Sequence, residues 1–288
     1  MNTMPAFYFD VAALNQLAHR YGDVYRSALP FPHVVIDEFL DDAVAQRLAD
    51  EFPTIDAIDW KVWGPGNTQR TTNKHIEKVG TSDETKFGAF TRHFMHELNS
   101  HTFLTFVGNL AGIQHLMPDP SYNGCGLHST GRGGRLMIHT DANRHPNRTK
   151  NLIHQHLNLI LYLNRDWKDD YGGHLELWDR DAAHCEKTIA PIFNRLVLFE
   201  TGKFSFHGHP EPLACPEGIR RISLAVYYYV LLRPDDQRYE GMQPKVTWVA
   251  TTPQDRAWRA RQVWKERFLK LVPPIVHDIP RLFRTARR

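Results

Sequence analysis

The stretch Leu157–Trp178, LNLILYLNRDWKDDYGGHLELW, decides the fold class. It contains two short apolar runs, and the residues between them are rich in Asn, Asp and Gly. Runs of this length between turn signals are typical of β-strands. The same pattern recurs on both sides of it, in Arg135–His139, Leu196–Glu200 and Ile222–Leu232. Because no helical segment separates these runs, the region predicts a sandwich or open barrel of short strands.

Helical patterns precede these strands. Asp41–Glu51 predicts a short amphipathic helix, because apolar residues recur every four positions along it. Ser82–Leu110 predicts a longer helical region, with large apolar residues at steps of three and four. Phe31–Phe39 predicts one strand ahead of both. This order indicates an α+β fold with N-terminal helices packed on one side of the strands.

The chain divides into three consecutive parts. Residues 1–120 are expected to be a helical and strand support region of the same domain, and residues 121–235 its strand-rich core. Residues 236–288 are expected to form a basic helical extension, interrupted by prolines towards its end. Its arginines and lysines fit a solvated helix face, and a docking surface for an acidic partner is the alternative.

Composition and charge argue against several classes of protein. A net charge of +3 in 288 residues is too small to predict a nucleic-acid partner. The longest apolar run, Leu224–Leu232, has nine residues, whereas a membrane-spanning helix needs about 20. Met1–Asp10 lacks the features of a secretory signal, and the three cysteines contain no C-x-x-C pair. We therefore expect a cytoplasmic protein without a membrane span; the sequence does not indicate its oligomeric state.

The first chemical motif is His139-Thr140-Asp141. On a strand, residues two apart point to the same face, so a histidine nitrogen and a carboxylate oxygen can reach one point. Such a pair supplies two ligands of a 2-His-1-carboxylate site, which leaves coordination positions of iron(II) open. The pair by itself is common and needs a third ligand from elsewhere.

Candidates for the third ligand lie in Ser205–Pro210, SFHGHP. We favour His207 over His209, because Gly208 leaves space beside it while Pro210 restrains His209. Further along, Arg221 opens an apolar strand, where a buried cation needs an anion, and a guanidinium fits a carboxylate well. By strand alternation Ser223 shares the face of Arg221. A salt bridge at a sheet edge is the alternative for Arg221.

Taken in order, these motifs resemble the 2-oxoglutarate/iron(II) oxygenases of the prolyl-4-hydroxylase-like group. The resemblance covers roughly Phe31–Leu232 and is absent from the C-terminal tail. One departure is the insertion Glu211–Ile219, which leaves open how close Arg221 lies to the metal. The matching segments are Pro30–Leu40, His139–Asp141, Leu159–Trp167, Gly172–Leu177, His207-Gly208 and Arg221–Ser223.

The resemblance implies a double-stranded β-helix core, jelly-roll or cupin-like, that binds Fe(II) and the co-substrate 2-oxoglutarate. His139, Asp141 and His207 would be the iron ligands. The implied reaction uses O2 to hydroxylate an aliphatic C–H bond and releases succinate and CO2, with ascorbate as a candidate reductant. An intact Asp141 favours hydroxylation over halogenation, which would need a small residue there.

The resemblance also implies a seat for 2-oxoglutarate. Arg221 would pair with its distal carboxylate, and Tyr162 matches a position whose hydroxyl binds the same group. Ser223 and Asn158 are further candidates for the lining of this pocket. For Tyr162, the alternative is a purely structural core aromatic.

Two other functions stay open from the sequence. A zinc hydrolase could use the same three metal ligands but would not need Arg221 or Tyr162. A non-catalytic, metal-binding sensor on a cupin-type fold is the second alternative. The substrate is open too: a peptidyl proline, a free amino acid, or a natural-product or glycan intermediate. Candidate residues for substrate contact lie in two polar loops, Trp60–Lys78, with Trp63, Arg70 and Asn73, and Asn143–Lys150. In the second loop, Arg144, His145 and Arg148 could meet an anionic substrate, and a solvated loop is the alternative.

Overall fold

The structure is a computed structural model that describes residues 7–63, 73–142, 153–232 and 245–271. These residues belong to two compact units, divided between Trp248 and Val249. The helices of the first unit are α1 (Val11–Ser27), α2 (Asp42–Asp50), α3 (Ala89–Leu98) and α4 (His101–Ala111). The second unit contains helix α5 (Pro253–Leu271).

All described strands belong to the first unit and form two antiparallel sheets. The larger sheet contains β1 (His33–Ile36), β2 (Lys61–Val62), β3 (Val79–Thr81), β4 (Met117–Pro118), β5 (Gly126–Thr130), β7 (Ile153–Tyr162), β10 (Arg195–Glu200) and β12 (Arg221–Leu231). The smaller sheet contains β6 (Leu136–Thr140), β8 (Leu175–Trp178), β9 (Cys185–Ile189), β11 (His207–His209) and β13 (Thr247–Trp248).

The strand order is that of a double-stranded β-helix. The larger sheet runs β1-β10-β7-β12-β5-β3-β2, with β4 paired to β12, and the smaller sheet runs β13-β6-β11-β8-β9. Within the stretch β5 to β12, each sheet therefore takes four strands, with β10-β7-β12-β5 in one and β6-β11-β8-β9 in the other. This jelly-roll arrangement confirms the fold class predicted from the sequence.

The larger sheet buries its two faces against different partners. Its outer face carries Leu159, Leu198 and Val226, which pack in one core with aromatic residues of α3 and α4 such as Phe94 and Phe103. Its inner face meets the smaller sheet in a second and smaller core that includes Tyr162, Leu177 and Phe199. The helices therefore lie on one side of the sheet, as expected, and the inner face between the sheets is left for polar side chains.

One helical prediction needed correction in detail. The segment expected as one helical region, Ser82–Leu110, contains a short 3-10 turn followed by two helices. The break between α3 and α4 lies at Asn99 and Ser100, where the Ser100 hydroxyl accepts a hydrogen bond from the Phe103 amide at 3.3 Å. A serine that caps a new helix competes with continuation of the old one.

Helix α5 forms where a C-terminal helix was expected. It begins with a capping box, in which Thr252 and Asp255 each bond the other's backbone amide at 3.2 Å. The division of the chain at residues 120 and 235 stays a prediction. No helix in the described part of the chain combines the length and apolar character needed to cross a membrane.

Candidate metal centre

Two neighbouring strands of the smaller sheet bring three metal-ligand side chains together. His139 lies near the end of β6, Asp141 follows that strand, and His207 opens β11. Strands β6 and β11 pair antiparallel, with His207 directly opposite His139. Residues opposite each other in such a pair point to the same face, as do residues two apart along one strand. The pairing therefore brings all three side chains to one end of the space between the sheets.

The distances fit a single metal ion. One potential ligand atom from each of His139, Asp141 and His207 lies within 4.8 Å of the others. The Asp141 Oδ1 atom is 3.5 Å from His139 Nε2 and 3.8 Å from His207 Nε2. All three side chains are buried. Two imidazoles and one carboxylate match the donor set of a facial iron(II) site, and zinc accepts the same set.

Backbone carbonyls orient both imidazoles. The Nδ1–H group of His139 donates to the Met137 carbonyl at 2.9 Å, and that of His207 donates to the Ser205 carbonyl at 2.9 Å. A carbonyl can only accept, so in each neutral ring the hydrogen lies on Nδ1 and the lone pair on Nε2. Both Nε2 atoms therefore face Asp141 in the form that binds a metal.

Two amides hold Asp141 by its other oxygen. Its Oδ2 atom accepts hydrogen bonds from Gln155 Nε2 at 3.0 Å and from Asn158 Nδ2 at 3.2 Å. Oδ1 is thereby left to face the histidines. Burial opposes ionisation of this carboxyl, but the nearby histidines and the Asn158 amide outweigh it and hold the pKa of Asp141 below its usual range. A fixed carboxylate with one oxygen turned to two imidazoles is suited to bind a divalent cation.

Aromatic rings enclose the histidines. The Trp248 ring stacks on His139 with centroids 4.7 Å apart, and Phe199 meets the His207 ring edge-on at 4.7 Å. Burial, with a contribution from His139, lowers the pKa of His207 to about 4. The ring is therefore neutral near pH 7, as metal binding requires.

A buried cation lies deeper in the same space. Arg221, at the start of β12, is 6% exposed, and its Nη2 donates to the Tyr162 hydroxyl at 3.0 Å. Its Nε donates to the Gly173 carbonyl at 2.7 Å. Among the described residues no carboxylate forms an ion pair with Arg221, which excludes a sheet-edge salt bridge within that part of the chain. A buried guanidinium without a counter-ion is costly unless an anion binds beside it.

Gly173 is required next to this arginine. Its φ is +71°, and a Cβ there would lie 2.4 Å from Leu213 Cδ2 and 3.0 Å from Arg221 Cδ. Any side chain would push Arg221 out of place, since its Nε bonds the carbonyl of the same residue. The Gly-Gly turn that marked the strand boundary in the sequence thus also shapes the arginine seat.

Three further candidate residues, Ser223, Asn158 and His209, are also buried. Ser223 is buried and lies directly opposite Tyr162 in the sheet, so it shares the face of Tyr162 and Arg221. Asn158 contacts Asp141 and thus lies at the metal end of the space. His209 is buried outside the three-residue cluster, and within the described residues neither of its ring nitrogens has a hydrogen-bond partner. The structure therefore groups His207, and not His209, with His139 and Asp141.

Sequence reasoning missed Gln155 and Trp248, and it included Lys78 only as the last residue of the candidate substrate loop Trp60–Lys78. Gln155 lies beside Asp141, Trp248 beside His139, and Lys78 near the inner-face charges. For Gln155 a signal was present, because its strand also carries Asn158 and Tyr162. Of the proposed substrate-contact residues, Trp63 and Asn73 are described, whereas Arg70 and residues 143–150 lie outside the described residues.

Part of the chain matches a known family. Residues 125–229 match the 2OG-Fe(II) oxygenase superfamily. A 75-residue stretch is 39% identical to prolyl 3-hydroxylase OGFOD1 of Mus musculus, covering 24% of this chain and 13% of that protein. Over 216 residues the chain is 25% identical to prolyl 3-hydroxylase OGFOD1 of Xenopus laevis, covering 73% of this chain and 37% of that protein. The chain thus spans well under half the length of these curated relatives.

Structural comparison supports the fold. A prolyl hydroxylase from Trichoplax adhaerens, solved with a peptide of the hypoxia inducible factor oxygen degradation domain, superposes with a TM-score of 0.52. That match covers 79% of this chain and 94% of the other at 17% identity, so it speaks to the fold alone. Residues 125–229 are thus similar to the 2OG-Fe(II) oxygenase superfamily, and the wider chain shares the fold of a prolyl hydroxylase.

Proposed function

We propose that this protein is a 2-oxoglutarate- and O2-dependent iron(II) dioxygenase that hydroxylates an aliphatic C–H bond of its substrate. The observation that carries the proposal is the combination of two sites in one space. Three metal-ligand side chains meet at one end, and a buried arginine without an acidic partner among the described residues lies deeper in it. A zinc hydrolase would need the first site but not the second.

His139, Asp141 and His207 would hold the iron. Bound iron(II) would supply the activation of O2, coupled to the conversion of 2-oxoglutarate into succinate and CO2. The protein's part is to keep the ligands in place: the Met137 and Ser205 carbonyls fix the imidazoles, and two amides fix Asp141. The buried walls exclude bulk water from the site.

Arg221 and Tyr162 would bind the distal carboxylate of 2-oxoglutarate. The guanidinium supplies charge and paired donors, and its contacts with Gly173 and Tyr162 fix its direction before the ligand arrives. Ser223, on the same face, is a candidate third contact. Asn158 would act through Asp141, because that is the group its amide contacts.

The names of the relatives indicate only which class of substrate should be assayed first. Two relatives are named prolyl 3-hydroxylases, so proline-containing peptides should be assayed first, followed by free amino acids and other small molecules. Ascorbate as reductant and a cytoplasmic location stay predictions.

An anaerobic titration tests the proposal. Protein with iron(II) and 2-oxoglutarate should develop a weak visible charge-transfer band that is lost in His139→Ala. Under air, candidate substrates should stimulate succinate formation. A wild-type protein without the band, and without succinate from any candidate, would exclude the oxygenase. A band without turnover would instead favour the non-catalytic sensor.

A further inference from the structure

A second cation shares the inner face with Arg221. Lys78 directly precedes β3, and β3 pairs antiparallel with β5 so that Val79 lies opposite Ser129. Continuing this register by one residue puts Lys78 opposite Thr130, which in turn lies opposite Arg221 on β12. Residues opposite each other share a face, so Lys78, Thr130 and Arg221 form one row across three strands. The two backbone positions are roughly 10 Å apart, two strand spacings.

Two polar side-chain atoms without partners in the described part of the chain lie on strands near Lys78. Its carbonyl accepts from the Trp63 amide at 2.8 Å, which continues the β2–β3 ladder and puts Trp63 opposite Lys78. The Trp63 Nε1 and His128 Nε2 atoms are both buried, and neither has a hydrogen-bond partner among the described residues. Both rings cover Gly80, where a Cβ would lie 2.7 Å from Trp63 Nε1 and 2.8 Å from His128 Cδ2.

This arrangement is a small polar wall made by strands β2, β3 and β5. Gly80 lies opposite His128, and His128 lies opposite Ser223, so the wall continues the face that carries the 2-oxoglutarate seat. Buried donors and acceptors are normally paired, and leaving one unpaired costs free energy. An indole N–H and a ring nitrogen, both unpaired and on one wall, indicate a place where a ligand supplies the missing bonds.

The charge of Lys78 is also unpaired. Among the described residues its ammonium makes no hydrogen bond and no ion pair with a carboxylate. Two charged side chains act on it from the neighbouring strands: Arg221 repels its charge and Asp141 attracts it. Burial and Arg221 lower the pKa of Lys78 to about 8. The ammonium is thus still charged near pH 7, at a site that disfavours that charge.

A charge balance shows which ligand is missing. Arg221 and Lys78 bring two positive charges and Asp141 one negative charge. Iron(II) would add two positive charges and 2-oxoglutarate two negative ones. Arg221, Asp141 and these two ligands neutralise each other, so the charge of Lys78 is left over. Lys78 is half-buried on the inner face, and a surplus positive charge there favours an anion.

The Arg221 guanidinium contacts β7, on the side of β12 away from Lys78. It contacts Tyr162 on β7 and the Gly173 carbonyl, on the side of β12 opposite to β5 and β3. A carboxylate bound by Arg221 and Tyr162 is therefore held on the far side of the row. Lys78 remains on the near side with Trp63 and His128.

We propose that Lys78, with the Trp63 indole N–H beside it, binds an anionic oxygen group of the primary substrate, either a carboxylate or a phosphate. This inference rests on the proposed function and adds to it a requirement for a negatively charged substrate. His128 Nε2, which has no hydrogen-bond partner among the described residues, would bond a neighbouring polar group of the same molecule. Lys78 is thus assigned as a specificity residue.

Binding of simple anions tests this assignment without knowledge of the substrate. The protein is loaded with Zn(II), which accepts the same ligands and is diamagnetic, and with saturating 2-oxoglutarate. Acetate and methylphosphonate are then titrated while the Trp63 indole Nε1–H signal is followed by NMR, with Trp63→Phe identifying that signal. We expect the signal to shift, and the preferred anion shows whether the natural group is a carboxylate or a phosphate.

Variants decide whether Lys78 is responsible. Lys78→Met should weaken binding of the preferred anion at least tenfold while the affinity for 2-oxoglutarate changes less than threefold. Lys78→Arg should retain anion binding. Lys74→Met is the matched control, because Lys74 lies in the same segment but pairs with Asp56 at 2.8 Å; it should behave as wild type.

Three results would overturn the assignment: no shift of the Trp63 signal with either anion, equal anion affinity in Lys78→Met and wild type, or a tenfold loss of 2-oxoglutarate affinity in Lys78→Met. The last result would assign Lys78 to the co-substrate. Failure of the proposed function is distinguishable, because it would appear as a missing charge-transfer band in wild-type protein with iron(II) and 2-oxoglutarate.

Discussion

The two faces of the larger sheet carry opposite kinds of residue, although these alternate along the same strands. In β7, Leu159 and Leu161 face the helices, whereas Asn158 and Tyr162 face the smaller sheet. In β12, Leu224 and Val226 are core residues of the outer side, and Arg221 and Ser223 belong to the inner side. Neighbours in sequence therefore serve different purposes: one face packs against the helices, and the other carries the proposed ligand-binding side chains beside a smaller apolar core.

Among the inner-face variants, Asp141→Ala should cause the largest loss of ligand affinity. Loss of a direct ligand should lower metal affinity by more than the roughly 10–100-fold that loss of an outer-shell partner costs. The Gln155 and Asn158 amides lose their acceptor, so a fall of about 1–3 kcal/mol in unfolding free energy should accompany it. Calorimetric titration with metal and denaturant unfolding measure the two effects. Metal affinity within tenfold of wild type would remove Asp141 from the ligand set.

A substitution on the outer face should lower stability without changing ligand affinity. Leu159→Ala should lower the unfolding free energy by about 2–5 kcal/mol, because Leu159 is 1% exposed in the main core. The metal and 2-oxoglutarate affinities of the folded protein should not change. Ile160→Ala is the paired control: its side chain is half-buried on the inner face, so it should destabilise less. Equal losses at the two positions would contradict the separation of the faces.

Arg221→Met should weaken 2-oxoglutarate binding by about 10–100-fold, the loss expected for a charge-assisted hydrogen-bonded pair. The unfolding free energy of the variant should stay the same or rise, because replacing Arg221 by methionine removes a buried cation that lacks a carboxylate partner among the described residues. Titration of the anaerobic visible band and thermal unfolding check both parts. A large fall in stability with unchanged 2-oxoglutarate affinity would make Arg221 a structural residue.

The smallest expected effect is a pH dependence of anion binding at Lys78. Burial and Arg221 lower the pKa of Lys78 to about 8, while Asp141 opposes them. Only the protonated form attracts an anion, so affinity should be constant below about pH 7 and fall above pH 8, by at most about tenfold per pH unit. The nearby His128 and His207 have lowered pKa values and do not titrate in this range. Lys78→Arg should give a flat profile up to pH 10, and a decline in that variant would assign the dependence to another group.

Much of this organisation is readable in the sequence, because it depends on local alternation. Short apolar runs between turn residues predicted the strands, and residues two apart predicted that His139 joins Asp141 and that Arg221 shares a face with Ser223. The helix break at Ser100 was also a local signal, a capping serine, but it was hidden within a continuous apolar pattern.

Which side chains come together in the site depends on pairing between strands that are far apart in the chain. That β6 lies beside β11 in a register with His207 opposite His139 is a matter of hydrogen bonds between residues far apart in the chain, and it separates His207 from His209. The stacking of Trp248 on His139 and the row that joins Lys78 to Arg221 arise in the same way. Which residue types alternate on a strand can be read from the sequence alone, because alternation is a property of one extended backbone. Which strands are neighbours, and therefore which of these side chains share a site, depends on how the whole chain folds.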